Sequence, residues 1–330
     1  MIHSSRLTRR ALLALSALGA VGGIAFWCSR AFWTRATAVQ PVPPTLSRPQ
    51  APMHVYHLGH SLVGADMPHL LAQFAGAGHT YNLQLGSGTS LRSHWEPDET
   101  IVDFDLVNDT PLWRAPQEAI GSGAYDAVIL TEMVELRDAL KFFGARDYLH
   151  RWAELARSGN PKTRLYLYET WHRLDDPKGW LSRIDSDLND LWLGALMARD
   201  IQAASGQPIY LIPGGQVLAA VTRAAEAGEI PGLTHREDLF AQSATGALDP
   251  IHLSAVGTYI IAATHFSVLY HHSPIGLPHQ VTLADGTHLA TLSEAGARAL
   301  QEIIWQVVTD VAHTGVPANP MTDAPSKGAT

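Results

Sequence analysis

With one cysteine, Cys28, in 330 residues, the chain has no disulfide framework of its own. It also has no long basic patch. Its 23 Lys and Arg are outnumbered by 31 Asp and Glu, a net charge of -8 that argues against a nucleic-acid partner. No internal repeat is visible, so repeat architectures are set aside. The 17 histidines are many, yet they offer no metal set. His54, His57 and His60 recur at period three in or beside a predicted strand, and so splay onto different faces. No metal and no cofactor is expected. What remains is enough apolar sequence for one large domain with tails.

The N-terminus reads as an address. Residues 4–10 are basic and residues 11–27 apolar, the plan of a signal peptide, with Ala36-Thr37-Ala38 in the looser segment behind it. Thr8-Arg9-Arg10-Ala11-Leu12-Leu13 resembles the twin-arginine export motif, with Ala11 at the place of its bulky residue. The apolar run is also at the lower limit for spanning a bilayer, and Arg30 and Arg35 follow it closely, so residues 1–38 are either a signal peptide or an uncleaved anchor. Both readings put the body of the protein outside the cytoplasm: periplasmic or secreted, or anchored in the inner membrane and facing outward. Any membrane contact is expected only through this segment. Residues 39–52, rich in proline, read as a linker, 53–314 as the folded domain and 315–330 as a loose tail.

Within the domain, apolar runs at 53–58, 81–85, 126–130, 164–168 and 208–212 predict five strands. Helical spacing covers 66–77, 143–157, 180–204, 214–227, 255–269 and 294–311. Residues 281–289 read as a small hairpin around Asp285-Gly286. Residues 92–123 are too long for a simple connection and form either a lid or an excursion packed over the site. Strands alternating with helices predict an α/β fold, a three-layer α/β/α sandwich with a mainly parallel five-stranded sheet.

Two stretches carry the chemistry. Gly59-His60-Ser61-Leu62 breaks the first strand into a turn, which puts a serine hydroxyl at the strand's carboxyl end, where open α/β sheets build their sites. Asp249-Pro250-Ile251-His252-Leu253 sets a carboxylate and an imidazole three residues apart just before an apolar helix. Together they supply a nucleophile, a base and an orienting acid.

On these residues the chain resembles the SGNH (GDSL-like) hydrolase superfamily over residues 53 to about 269. The resemblance implies a flavodoxin-like sandwich. It assigns Ser61 as nucleophile, His252 as base and Asp249 as its orienting acid, with the N–H groups of Ser61 and Gly86 as the oxyanion hole. His60 stands where the family's first block has aspartate. The third block departs further: Leu130-Thr131-Glu132-Met133 replaces Gly-x-Asn-Asp, and a glutamate carboxylate accepts hydrogen bonds where asparagine donates. The side-chain donor of the hole is therefore missing or supplied elsewhere. Asn108-Asp109 matches by letters but lies in the excursion. The α/β-hydrolase elbow, Gly-x-Ser-x-Gly, fails at Val63.

Glu132, Trp95, Trp171 and Gln216 are the expected substrate contacts, the tryptophans, with Trp113, as flat faces for sugar rings. The competing expectation for Trp171 is a packing residue, and for its neighbour His172 a surface position. The function expected is an exported serine esterase acting on a small-molecule or glycan ester, acetyl esters of carbohydrates included. The alternatives are an O-acyltransferase on an envelope glycan and a non-catalytic glycan-binding or envelope-assembly protein that keeps the fold.

Overall fold

Five apolar runs pair as parallel strands, and the alternation of their side chains sets the layers. The computed structural model describes residues 40–318 apart from Ala244 and Thr291. The readings of residues 1–38 and of the far C-terminus lie outside the described residues. In chain order, β1 (His54–Leu58) leads to α1 (Asp66–Ala75) and β2 (Thr80–Gln84). Three short helices follow, α2 (Leu91–Trp95), α3 (Phe104–Asn108) and α4 (Pro116–Gly121), then β3 (Ala127–Leu130). Next come α5 (Leu136–Phe142), α6 (Ala145–Gly159) and β4 (Arg164–Glu169). α7 (Trp180–Asp187) continues through π-helical turns at Leu188–Leu196 into α8 (Ala198–Ala203), followed by β5 (Ile209–Pro213) and α9 (Gly214–Glu226). The hairpin of β6 (Phe240–Gln242) and β7 (Leu248–Leu253) precedes α10 (Ala255–Tyr270). A second, of β8 (Gln280–Thr282) and β9 (His288–Ala290), precedes α11 (Glu294–Asp310).

The sheet order is β2-β1-β3-β4-β5, all parallel, which is the flavodoxin-like order. Successive side chains face opposite ways. Val55, Ala127, Ile129, Tyr166, Tyr168, Tyr210 and Ile212 enter one core, while Tyr56, Leu58, Val128, Leu130, Leu165, Leu167, Ile209 and Leu211 enter the other. The first core is closed by α1, α9, α10 and α11, the second by α4, α6 and Leu191–Leu196. α10 is apolar all round because it is enclosed, packed on α1, α9 and α11. The expected three-layer α/β/α sandwich is the observed one.

Three local readings change. The helix expected at 143–157 is preceded by a separate α5, and Gly144, at φ 63, takes the left-handed turn that separates them. The proline-rich residues 40–52 lie along the domain. Tyr210 Oη donates to Pro44 O (2.9 Å), Arg164 to Ser47 O (2.7 Å), and Leu46 N–H to Gly315 O (2.8 Å). An extended proline-rich backbone leaves its carbonyls free for such donors. Val316, placed in the tail by sequence, is buried in the first core. No helix among the described residues is long and apolar enough to cross a membrane.

All five strands end at one edge, and β1 meets β3 there with no room to spare. A Cβ on Gly59 would stand 2.7 Å from Thr131 Cβ and 2.9 Å from Val63 Cγ2. We expect Gly59→Ala to cost roughly 1–3 kcal/mol of stability, read as a lowered melting temperature. An unchanged melting point would mean that this edge is looser than described.

Candidate active site

The turn after β1 presents Ser61 to solvent and buries everything beneath it. Gly59 N–H still donates to Gln84 O (3.2 Å), extending the β1–β2 pairing, and Val63 N–H closes the turn on His60 O (2.9 Å). Two buried imidazoles hold the turn from below. His60 donates from Nε2 to Glu132 O (2.9 Å) and accepts Leu62 N–H at Nδ1 (3.3 Å). His94 donates from Nε2 to Gly59 O (2.8 Å) and accepts from the Gln84 amide at Nδ1 (3.0 Å). Trp113 Nε1–H donates to Gln84 Oε1 (3.1 Å), which fixes that amide's orientation. Burial pushes both rings down to about 4, against the favourable backbone carbonyl each one meets, so both are neutral at pH 7.

Asp249 and His252 come from β7, beside the same edge. Asp249 Oδ1 accepts the N–H groups of Ile251 (2.9 Å) and His252 (3.0 Å), and Oδ2 accepts from His252 Nδ1 (2.8 Å). Partial burial opposes the carboxylate, but these donors outweigh it and hold Asp249 below its ordinary pKa. With Nδ1–H so engaged, Nε2 is the acceptor that faces Ser61 Oγ at 3.0 Å. The segment after β4 anchors this strand. Trp171 Nε1–H donates to Ile251 O (2.8 Å) and Leu174 N–H to Pro250 O (2.7 Å). Ser254 then caps α10 by accepting Gly257 N–H (3.3 Å).

The structure thus brings Ser61, His252 and Asp249 together in a continuous hydrogen-bonded chain. Ser61 and Gly86 line one cleft, and neither backbone N–H has a hydrogen-bond partner among the described residues. Asn108 is not a donor to that cleft. Its amide NH₂ is committed to Leu85 O (2.8 Å) and Phe104 O (2.9 Å), and its Oδ1 accepts Leu85 N–H (3.0 Å). The side chain therefore clamps the residue before Gly86. Sequence reading placed it in the excursion but missed this task, which no local pattern marks.

The four expected substrate contacts stand differently. Glu132 is fully buried and turned to backbone: Oε1 accepts Met133 N–H (2.8 Å) and Leu91 N–H (3.2 Å), while Oε2 has no partner among the described residues. Trp95 packs edge-on against Trp152, with ring centroids 4.8 Å apart, and lines no cleft at Ser61. Gln216 gives its amide to Glu169 (3.1 Å) and Ile184 O (2.9 Å), again away from Ser61. These three expectations are withdrawn as substrate contacts, because each side chain is spent on its own protein. Trp171 does line a hollow with Ser61 and His252, yet at 1% exposure it is a strut and not a stacking platform. Its neighbour His172 is buried against Asp187 (3.0 Å), not at the surface.

Two hollows meet at Ser61. One, of about 150 Å³, contains His252, Leu62, Val63, Trp171 and Thr258. The other, of about 470 Å³, contains Gly86 and runs between β2 and residues 106–112 of the excursion. Elsewhere His150, Glu154 and Asp200 bring ligand-type atoms together, but Arg157 already bonds to both carboxylates.

No family model matches the sequence, and no curated protein does. Among solved structures the chain is similar, at 14% identity, to a DUF4886 family protein from Bacteroides uniformis, over 78% of this chain and 94% of that one, with a TM-score of 0.46. It is also similar at 14% identity to a family 3 carbohydrate esterase from Clostridium thermocellum (65% and 94%, TM-score 0.33). A third similarity, again at 14%, is to the lipase Lip_vut3 from a goat rumen metagenome (66% and 98%, TM-score 0.35). Likenesses this distant carry no argument about chemistry, which rests on the geometry above.

Glu132 generates a pH test. Burial raises its carboxyl to about 7, and the N–H groups of Met133 and Leu91 offset this only in part. Folding therefore binds a proton between the ordinary carboxylate range and about pH 7, so ionisation destabilises the fold as pH rises through that window. Glu132→Gln keeps an oxygen for both N–H groups and cannot ionise. We expect its stability relative to the unsubstituted protein to rise between pH 5 and pH 7.5 by up to about 3 kcal/mol and then level off. A difference independent of pH would mean that Glu132 does not titrate in this range.

Proposed function

We propose that the protein is an exported serine esterase that works through an acyl-enzyme. The observation that carries the reading is the chain from Ser61 Oγ through His252 to Asp249, beside a cleft lined by Ser61 and Gly86, whose N–H groups have no partner among the described residues. Ser61 Oγ attacks the ester carbonyl as His252 Nε2 takes its proton. Asp249 fixes the Nδ1–H tautomer and stabilises the imidazolium. The carbonyl oxygen, as it gains charge, is met by the N–H groups of Ser61 and Gly86. His252 then protonates the leaving alcohol, and the same ring activates water to release the acid. The His252 side chain is 46% exposed, so water reaches it freely, which favours hydrolysis over transfer to a bound acceptor. With Asn108 and Glu132 otherwise engaged, the hole works with backbone donors alone, and a missing donor costs roughly 10²–10³ in rate. The expected enzyme is modest in turnover.

Kinetics of single and double variants test the shared mechanism. Ser61→Ala and His252→Ala are each expected to lower kcat/KM on an aryl ester by roughly 10⁴-fold or more, with the double variant no worse than either. Independent, multiplicative losses would contradict a nucleophile and base acting as one unit.

Export rests on the basic and apolar residues 4–27. A reporter fused behind residues 1–38 is expected to leave the cytoplasm, and replacing Arg9 and Arg10 by Lys is expected to hold it inside. Unimpaired export of the Lys form would exclude the twin-arginine route.

A further inference from the structure

We infer that the acyl group this site accepts is a medium-length apolar chain, about four to eight carbons, held in the larger hollow between β2 and the excursion. The inference rests on the esterase reading and deepens it. The orientation of the ester decides which hollow takes which half. Its carbonyl oxygen must lie at the N–H groups of Ser61 and Gly86, and its leaving oxygen must lie at His252 Nε2. The hollow of about 150 Å³ contains His252 and not Gly86, so it faces the alcohol. The hollow of about 470 Å³ contains Gly86 and not His252, so it faces the acyl group.

The walls of the larger hollow suit a hydrocarbon. Tyr81, Leu83, Leu85, Leu106, Val107 and Leu112 are its bulky apolar lining residues, with His69, Asp109 and Thr110 among its polar members. An acetyl group would leave most of that volume empty. Eight carbons, at about 30 Å³ for a water-sized group, need about 240 Å³ and fit. Leu106 is 80% exposed and Val102 54%, an apolar rim that nothing else in the described domain covers. The outer wall is fixed to the strand that carries Gly86. Asn108 clamps Leu85 from both backbone atoms, Leu83 N–H donates to Leu112 O (3.2 Å), and Ser87 Oγ donates to Asp103 (2.6 Å). The excursion is thus a fixed wall of the cleft, held in register with the oxyanion amide, and its apolar residues select the acyl chain.

A series of p-nitrophenyl esters with the full-length protein tests this, with Ser61→Ala as the blank. We expect kcat/KM to rise by at least about tenfold from acetate to hexanoate, since each buried methylene is worth about fourfold. Leu106→Ser, which puts a hydroxyl on the exposed part of that wall, should cut the ratio of hexanoate to acetate kcat/KM severalfold. Val107→Trp, which fills the cleft, should make acetate the better substrate, with melting curves checking that each variant folds. A flat or falling profile from acetate onward, in a protein whose activity Ser61→Ala abolishes, overturns the inference and leaves the esterase reading intact. If no ester is turned over above the Ser61→Ala blank, both fall together.

Discussion

The turn that carries Ser61 depends on two buried histidines that must stay neutral. His60 and His94 each use one ring nitrogen as donor and the other as acceptor, an arrangement only the uncharged ring allows. Through them the ends of three strands are joined: β1 at Gly59 and His60, β2 at Gln84, and β3 at Glu132. Glu132 then extends the link to the start of α2 by accepting Leu91 N–H. A histidine where a family block has aspartate thus fits a turn whose partner is a carbonyl. A carboxylate at His60 could not donate to Glu132 O, and it would leave a charge buried without a counterion.

Above this neutral platform the polarity is opposite. Asp249 and His252 are partly exposed, and the carboxylate is held ionised by two backbone N–H groups and the ring it orients. The charge that the proposed catalysis requires is therefore kept near water, while the geometry it requires is set by uncharged groups below. Glu132 and Glu169 are the exceptions beneath the surface, and burial raises them to about 7 and about 8. Both are used as acceptors for backbone N–H groups, Glu132 from Leu91 and Met133 and Glu169 from Gln216, so their roles are structural.

What the sequence disclosed follows from the range of the interactions involved. β1, β3, β4 and β5 were legible because each is a mainly apolar run buried along nearly all its length, while β2, half-buried at the sheet edge, was legible from its shorter apolar stretch before Gly86. The Asp249–His252 pair was legible because both residues lie in one short stretch. The meeting of His252 with Ser61, 191 residues away, was legible only through the order of motifs along the chain. Glu132 and Gln216 were misassigned because both follow strand ends, and Trp95, at the end of α2, because a flat ring in the excursion suits a sugar as well as a core. Position and residue type alone do not tell a site contact from a strut. Glu132 finds Leu91 N–H, Trp95 finds Trp152, and Gln216 finds Glu169, all through tertiary packing that no local pattern records. The linker reading of 39–52 did not foresee the contacts that Pro44 and Ser47 make with the domain, since proline content describes the stiffness of a segment and not the donors waiting beside it.

Covalent capture of Ser61 asks most directly whether this constellation is an activated nucleophile. An aryl alkylphosphonate, which forms a tetrahedral adduct with such a serine, should add one phosphonyl group per chain, mapped to the peptide containing Ser61. The adduct should be absent in Ser61→Ala and form far more slowly in His252→Ala. An unmodified Ser61, in protein whose melting curve shows it folded, would contradict the claim that His252 and Asp249 make this hydroxyl reactive.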